Sequence, residues 1–195
     1  MLFRSHGVSC VPIDTEARAV VVIGAGPIGL LTALVARARG ARRVFISDIL
    51  PSRIELAKQF GLEAVKAGAE LKDLIDGETS GDGADLVFEC VGAPDAVRDM
   101  TDLVRSRGTI VNLGVSKKPV KVDMQSVNFK EITIIGSRVY RRHDFEQAIE
   151  LASSLGVRRI VTHTYPLAEV RAAFDCFQQG NGVCKVLLLP NGAGE

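Results

Sequence analysis

One stretch of the sequence constrains the fold more than any other. The apolar run Ala19-Val20-Val21-Val22-Ile23 leads directly into the turn Gly24-Ala25-Gly26-Pro27-Ile28-Gly29, and a helical pattern continues to about residue 39. Glycines at this spacing are a weak signal alone, but a buried strand before them and a helix after them are the context that a dinucleotide-binding turn requires. The alternative is a strand-to-helix turn that needs glycine for its own geometry.

Each residue of this turn has a distinct expected role. Gly24 permits the tight bend, Gly26 lets the backbone approach a pyrophosphate, and Gly29 lets the helix pack closely on the sheet. Pro27 and Ile28 begin the helix, whose free N–H groups and positive dipole end favour a diphosphate. The turn therefore predicts a phosphate-binding site.

The segment 19–36 also has the length and hydropathy of a short membrane span, with Thr32 as its one polar residue. Three glycines and a proline lie within it, and its β-branched beginning favours a strand over a helix. A buried strand, a turn and a buried helix explain the same hydropathy. Residues 1–18 lack the apolar core of a secretory signal, so we expect a cytoplasmic protein without a membrane partner.

Apolar strands and amphipathic helices alternate along the rest of the chain. The predicted strands are 19–23, 43–47, 63–65, 86–90, 109–113 and 132–135, and the predicted helices are 27–39, 51–60, 70–76, one from 94 and one behind Asp144 as N-cap, with Gln147 completing a capping box. This alternation predicts an α/β fold, a Rossmann-type doubly wound parallel sheet with helices on both faces. A β-α-β tail follows from residue 161.

Composition excludes several function classes. Lys plus Arg is 24 and Asp plus Glu is 23, and only 5% of residues are aromatic, so neither nucleic acid nor an anionic membrane is an expected partner. The four cysteines (10, 90, 176 and 184) include no C-x-x-C pair, and the three histidines are scattered. We therefore expect thiols rather than disulfides, and no metal site within this chain.

Asp48 lies at the end of the second predicted strand, 19 residues after Gly29. An acidic group there accepts hydrogen bonds from the ribose hydroxyls and repels a 2′-phosphate, which favours NAD over NADP. Arg53 is a second candidate contact, since a nearby arginine can serve a 2′-phosphate; its alternative role is that of a solvated helix residue. Asp48→Ala is expected to relax the preference.

Two more strand ends should reach a cofactor, because ligands of open α/β sheets lie beyond the carboxyl ends of the strands. The segments are Cys90-Val91-Gly92 and Leu113-Gly114-Val115. Gly92 and Gly114 would let the backbone pass near the ribose and nicotinamide. Either could instead be a simple turn glycine.

A succession of motifs carries a family resemblance over roughly residues 6–189. The motifs are V-V-V-I-G-A-G-P-I-G-L-L, I-S-D, F-E-C-V-G-A-P, G-T-I-V-N-L-G-V, K-E-I-T-I-I-G-S-R-V-Y, T-H-T-Y-P-L and C-K-V-L-L. In this order they resemble the medium-chain zinc-dependent alcohol and polyol dehydrogenases, in particular the sorbitol, threonine and sugar-acid branch.

The resemblance implies specific roles. Asp48 would bind the adenosine ribose, and Leu113 to Val115 would line the nicotinamide. Arg138 would face the reactive end of the cofactor. Ile132 to Gly136 would be an edge strand that joins two subunits into a homodimer.

Members of that family begin with a β-rich catalytic domain that carries zinc ligands, and this sequence contains no counterpart of it. The resemblance therefore implies an inter-domain remnant at 1–18, an NAD-binding domain at 19–160, and a tail at 161–195 that packs on the catalytic domain in relatives. The implied function is the NAD-binding portion of an oxidoreductase acting on the CH–OH group of an alcohol, polyol or sugar acid. Zinc is expected only in a full-length relative, and no catalytic residue is identified. The alternatives are an inactive NAD-binding module or truncated gene product and, less compatible with Gly29, a methyltransferase.

Overall fold

The computed structural model describes residues 2–11, 13, 19–180 and 182–190. The helices in this part of the chain are α1 (Leu2–Ser9), α2 (Pro27–Ala38), α3 (Pro51–Gln59), α4 (Ala69–Thr79), α5 (Pro94–Leu103), α6 (Met124–Phe129), α7 (Arg142–Ser154) and α8 (Val170–Gln179). The strands are β1 (Val20–Ile23), β2 (Val44–Asp48), β3 (Glu63–Lys66), β4 (Ala84–Glu89), β5 (Val104–Asn112), β6 (Thr133–Gly136), β7 (Val161–Pro166) and β8 (Lys185–Leu189).

Six strands form one parallel sheet in the order β3-β2-β1-β4-β5-β6. The chain runs outward from β1 to β3 and then returns to the other side of β1 with β4. The strand order reverses between β1 and β4, which is where open α/β sheets bind their ligands. The predicted α/β doubly wound fold is confirmed.

Strand β1 is buried on both faces of this sheet. Val20 and Val22 belong to one hydrophobic cluster, and Val21 and Ile23 belong to another. Because successive strand residues point to opposite faces, a strand between two helical layers must be apolar throughout. The apolar run 19–36 is therefore β1 and the start of α2, as expected, and no helix of the described residues is long and apolar enough to cross a membrane.

Proline begins three of the helices, at Pro27, Pro51 and Pro94. The first helical position has no carbonyl partner for an N–H, so the missing donor of proline costs nothing there. The predicted starts of these helices are correct. The structure extends α4 three residues beyond the predicted end, to Thr79, and begins β5 five residues before the predicted start.

Two predictions near the N-terminus and α7 require correction. The first 18 residues show little sequence pattern, yet Leu2–Ser9 form α1, which packs against α2 and α7. The expected strand at 19–23 begins one residue later.

Asp144 is not the N-cap of α7: the helix begins at Arg142, and Asp144 lies in its first turn. Its carboxylate accepts the Arg141 backbone N–H at 2.8 Å, so it caps the helix from inside.

The predicted β-α-β tail is present, with its two parallel strands in a sheet of their own. Helix α8 packs against both β7 and β8. Its other side leaves Phe174 and Phe177 about 60% exposed. A two-stranded sheet whose helix leaves an apolar face uncovered is only marginally stable in water without further packing.

Candidate functional site

A cavity of about 370 Å³ opens at the carboxyl ends of β1, β2 and β4. Six sequence-predicted residues line it: Gly24, Gly26, Asp48, Arg53, Cys90 and Val91. It lies at the point where the strand order reverses, which is where open α/β sheets bind their ligands. The remaining predicted residues, namely Pro27, Ile28, Gly29, Gly92, Leu113, Gly114, Val115 and Arg138, do not line this cavity.

The surroundings of the turn require glycine at two of its three glycine positions and leave open space at the third. Gly24 has φ +99°, and a Cβ there would lie 2.5 Å from a methyl carbon of Val91. A Cβ at Gly29 would lie 1.7 Å from the Gly24 carbonyl oxygen, so helix α2 could not pack on the turn. At Gly26 the nearest atom would be Arg53 at 3.8 Å. Packing does not require a glycine at 26, and its open side faces the cavity.

The N-terminus of α2 meets this turn at Gly26, the N-cap. Pro27 has no N–H, and the N–H groups of Ile28 and Gly29 belong to the first turn, where no helical carbonyl is available to them. Together with the positive end of the helix dipole, these donors favour an anion such as a phosphate.

Asp48 is 6% exposed and holds the turn in place. One carboxylate oxygen accepts the Ala25 N–H at 2.8 Å and lies 3.5 Å from the Arg53 guanidinium; the other accepts the Leu50 N–H at 3.0 Å. A carboxylate offers about four acceptor positions. Ala25, Leu50 and Arg53 use three of these positions, so one acceptor position of the Asp48 carboxylate remains for a hydroxyl group within the cavity.

Every buried side-chain polar atom without a hydrogen-bond partner in the described part of the chain lies at the carboxyl edge of the sheet or beside it. The atoms are Ser47 Oγ, Arg53 Nε, Glu89 Oε2, Asn112 Oδ1 and Ser137 Oγ. Ser47 and Arg53 line the cavity itself. Unsatisfied buried polar groups are costly and rare, so their concentration here indicates a polar ligand.

Glu89, at the end of β4, is a residue that sequence reasoning did not single out. It is fully buried, and its Oε1 accepts the N–H groups of Val91 and Gly92, both at 2.8 Å. It therefore fixes the loop that carries Cys90 and Val91 into the cavity. The available signal was an acidic residue at the carboxyl end of an apolar strand, in the position that Asp48 occupies on β2.

Gly92 and Gly114 bring two loops together. A Cβ at Gly92 would lie 2.6–2.8 Å from the backbone of Val115, and a Cβ at Gly114 would lie 2.3 Å from the Gly92 nitrogen. The Ser116 hydroxyl donates to the Gly92 carbonyl at 2.8 Å. These glycines are required where the two loops contact each other, and their approach to the ribose and nicotinamide stays a prediction.

The other predicted residues lie apart from the cavity. Leu113 is 8% exposed and packs on Gly7 of α1, and Val115 is 66% exposed. Arg138 is exposed two residues beyond β6. Strand β6 pairs with β5 alone among the described strands, so its other edge is uncovered, and Ile134 there is 40% exposed.

No group of three or more His, Cys, Asp or Glu side chains in the described residues is arranged to hold a metal ion. His143 is exposed and accepts from the Gln147 amide at 2.8 Å, and His163 lies 3.0 Å from the Thr162 hydroxyl. Both histidines thus have protein side chains as neighbours.

The family model for zinc-binding dehydrogenases matches residues 27–154. The chain belongs to this family. It is 37% identical over 174 residues to an L-threonine 3-dehydrogenase of Alteromonas mediterranea, covering 86% of this chain and 50% of the relative. It is 34% identical over 178 residues to a sorbitol dehydrogenase of Halalkalibacterium halodurans, covering 88% and 51%. The chain thus spans about half the length of these curated relatives.

Solved structures agree with this assignment. An alcohol dehydrogenase from E. coli CFT073 in complex with NADH superimposes with a TM-score of 0.82 at 25% identity, over 95% of this chain and 56% of that one. A Sinorhizobium meliloti 1021 structure described as a zinc-binding dehydrogenase, bound to NADP, gives 0.79 at 28% identity over 97% and 57%. The resemblance predicted from the motifs is confirmed, including its extent through the tail.

Proposed function

We propose that this chain is the NAD-binding portion of an oxidoreductase that acts on the CH–OH group of an alcohol, polyol or sugar acid. The observation that carries the proposal is the cavity at the strand-order reversal, bounded by the glycine turn and the buried carboxylate of Asp48. Family membership supports the reaction class. Two relatives that the chain resembles are named as dehydrogenases of threonine and of sorbitol, and both of these compounds contain a CH–OH group.

The residues present fit a dinucleotide. The pyrophosphate would lie on the N-terminus of α2, where Ile28 and Gly29 supply free N–H groups and Gly26 leaves room. A ribose hydroxyl would use the remaining acceptor position of Asp48. Ile49, 73% exposed on the cavity rim, offers an apolar surface to the adenine. When bound, the nicotinamide accepts or donates the hydride.

Charge in the cavity favours NAD over NADP. Asp48, Asp95 and Asp99 line it, and Arg53 is the one cationic side chain among its lining residues. Arg53 is already paired with Asp48 at 3.5 Å. A 2′-phosphate would add about two negative charges beside Asp48, and Arg53 would have to neutralise both that phosphate and the carboxylate with which it is already paired.

Titration of the purified chain with NADH and NADPH, followed by nicotinamide fluorescence, tests this proposal. We expect NADH to bind at least about tenfold more tightly, a difference of about 1.4 kcal/mol. Asp48→Ala should reduce the ratio, and Asp73→Ala, which removes an exposed carboxylate that does not line the cavity, serves as the matched control. Equal affinity of the unaltered protein for both cofactors would contradict the preference, and tight S-adenosylmethionine binding without NADH binding would contradict the cofactor class.

An inactive NAD-binding module is a second candidate, because the described residues include no group of His, Cys, Asp or Glu side chains arranged to hold a metal ion. The two candidates differ in turnover. An NADH absorbance assay over polyols, threonine and aldonic acids, together with zinc analysis, distinguishes them. Reduction of NAD by the chain supports the enzyme; NADH binding with no reduction of NAD on any substrate supports the module.

We also propose a domain organisation and an assembly. Residues 1–18 would be an inter-domain remnant, 19–160 the cofactor domain, and 161–195 a tail whose exposed face, with Phe174 and Phe177, packs on a catalytic domain. The uncovered edge of β6 would join two chains into a homodimer in the cytoplasm. Sedimentation analysis checks the dimer: Ile134→Lys, on that edge, should shift the protein to monomer, and an unaffected dimer would place the interface elsewhere.

A further inference from the structure

A second cavity, of about 610 Å³, lies between α1 and α7 and shares no lining residue with the cofactor cavity. Cys10, His6 and Asp144 line it together. Cys10 directly follows α1, and its backbone N–H donates to the His6 carbonyl at 3.0 Å, so the helical spacing of four residues continues to Cys10. Asp144 comes from α7, which packs against α1.

The three side chains form a continuous chain of contacts. Cys10 Sγ lies 3.8 Å from His6 Nε2, and His6 Nδ1 lies 2.9 Å from an Asp144 carboxylate oxygen. The His6 side chain is 17% exposed and that of Asp144 is 4% exposed. This is the order of a nucleophile, a base, and a carboxylate that orients the base.

The Asp144 carboxylate determines which nitrogen of His6 carries the proton. Burial alone raises the pKa of this carboxyl, but hydrogen bonds from the Arg141 backbone and His6 outweigh it, and the pKa lies below its usual value. Asp144 is therefore ionised at neutral pH and can only accept. The proton of neutral His6 then resides on Nδ1, which leaves Nε2 as an acceptor facing the Cys10 thiol.

We propose that Cys10 is a nucleophilic thiol, activated by His6 and Asp144, that undergoes exchange with small anionic disulfides. His6 Nε2 takes the thiol proton, and the Cys10 thiolate attacks one sulfur of the disulfide. The S–S bond breaks, a mixed disulfide forms at Cys10, and the departing thiolate receives the proton from His6. One thiol and one disulfide are consumed, and one of each is produced.

The charge of the cavity selects the class of disulfide. Arg39 and Arg141 line it, and Asp144, already paired with His6, is the one carboxylate among its described lining residues. Carboxylates on an incoming disulfide would meet this positive charge.

Alkylation of the purified chain with iodoacetamide, followed by mass spectrometry of each cysteine peptide, tests the activation. We expect the Cys10 rate at pH 7 to exceed that of Cys176, also half-buried, at least about tenfold. Equal rates of alkylation at the two cysteines would overturn the proposal.

His6→Gln should lower the Cys10 rate at pH 7 at least about tenfold, because glutamine cannot take the thiol proton. Cys176 within the same molecule reports any general loosening of the fold. His143→Gln, a change at the exposed histidine of the same cavity, is the matched control and should leave the rate unchanged. An unchanged rate in His6→Gln would overturn the role of His6.

Oxidised glutathione and bis(2-hydroxyethyl) disulfide test the preference for anions. After normalisation to Cys176, Cys10 should react at least about tenfold faster with glutathione, and the ratio should fall in Arg141→Gln and at high salt. Equal normalised rates would overturn the anionic preference. None of these measurements requires NAD binding or turnover.

Discussion

Glu89 offers the sharpest test of how the cofactor site is held together. The perturbation is a pair of substitutions, Glu89→Gln and Glu89→Leu. Both variants keep a side chain of similar volume at this fully buried position. They differ in whether an oxygen remains to accept the two N–H groups of Val91 and Gly92.

The expected magnitude follows from those two hydrogen bonds. Glu89→Gln keeps a carbonyl oxygen in the place of Oε1 and puts an amide where Oε2 already has no partner, so its unfolding free energy should stay within about 1 kcal/mol of the parent. Glu89→Leu leaves both donors without an acceptor, at about 1–3 kcal/mol each. The unfolding free energy of the leucine variant should therefore be about 2–6 kcal/mol lower than that of the glutamine variant. This is a large part of the total of about 5–15 kcal/mol that is typical of a protein.

Urea unfolding followed by circular dichroism measures this difference. With an m-value of about 2 kcal/mol/M, the leucine variant should unfold at least about 1 M earlier than the glutamine variant. NADH affinity should also fall in the leucine variant, because Val91 lines the cofactor cavity. If the two variants unfold within about 0.5 kcal/mol of each other, the hydrogen bonds of Glu89 do not stabilise the loop and the reasoning is wrong.

Three further predictions concern single positions. Gly29→Ala places a Cβ 1.7 Å from the Gly24 oxygen and should cost about 3 kcal/mol or more in thermal unfolding, whereas Gly77→Ala, in open space on α4, should stabilise by about 0.5–1 kcal/mol; equal effects would contradict the close packing. Burial raises the pKa of Cys184 to about 11, so this thiol should resist iodoacetamide at pH 8 in the folded protein and react in urea; alkylation at equal rates in both would refute its burial. Because the pKa of Asp144 is lowered on folding, its contribution to stability is present above the unfolded value of about 3.9 and is lost as the pH falls through the folded value. Urea unfolding at pH 7 and pH 3 should therefore show a smaller stability difference between the parent and Asp144→Asn at pH 3 than at pH 7, and a constant difference would exclude this linkage.

The parts of the fold that the sequence predicts are those with strong local signals. The glycine turn after a buried strand, and proline at the first position of α2, α3 and α5, identify the elements without any tertiary information. The long succession of family motifs supplies the strand arrangement. The acidic residue after β2, Asp48, is recognisable because its distance from Gly29 is characteristic of the turn.

The parts that the sequence does not predict depend on contacts between distant segments. Helix α1 is eight residues long, too short to be stable alone, and forms because it packs on α2 and α7. The close contact between the loops that carry Gly92 and Gly114 has no local sequence signal. Asp144 resembles an N-cap because three residues separate it from Gln147, but its carboxylate bonds His6, 138 residues away in the chain.

Two buried carboxylates, at the ends of β2 and β4, flank the point where the strand order reverses. Asp48 accepts hydrogen bonds from the N–H groups of Ala25 and Leu50, and Glu89 accepts them from Val91 and Gly92 in the loop after β4. Each is thus needed by the backbone that forms the site. Asp48 also places a carboxylate in the cavity that begins at the N-terminus of α2. A ligand with a central diphosphate and an uncharged ribose would suit both groups, whereas an extra phosphate near β2 would suit only the helix, which is the physical basis of the proposed preference for NAD.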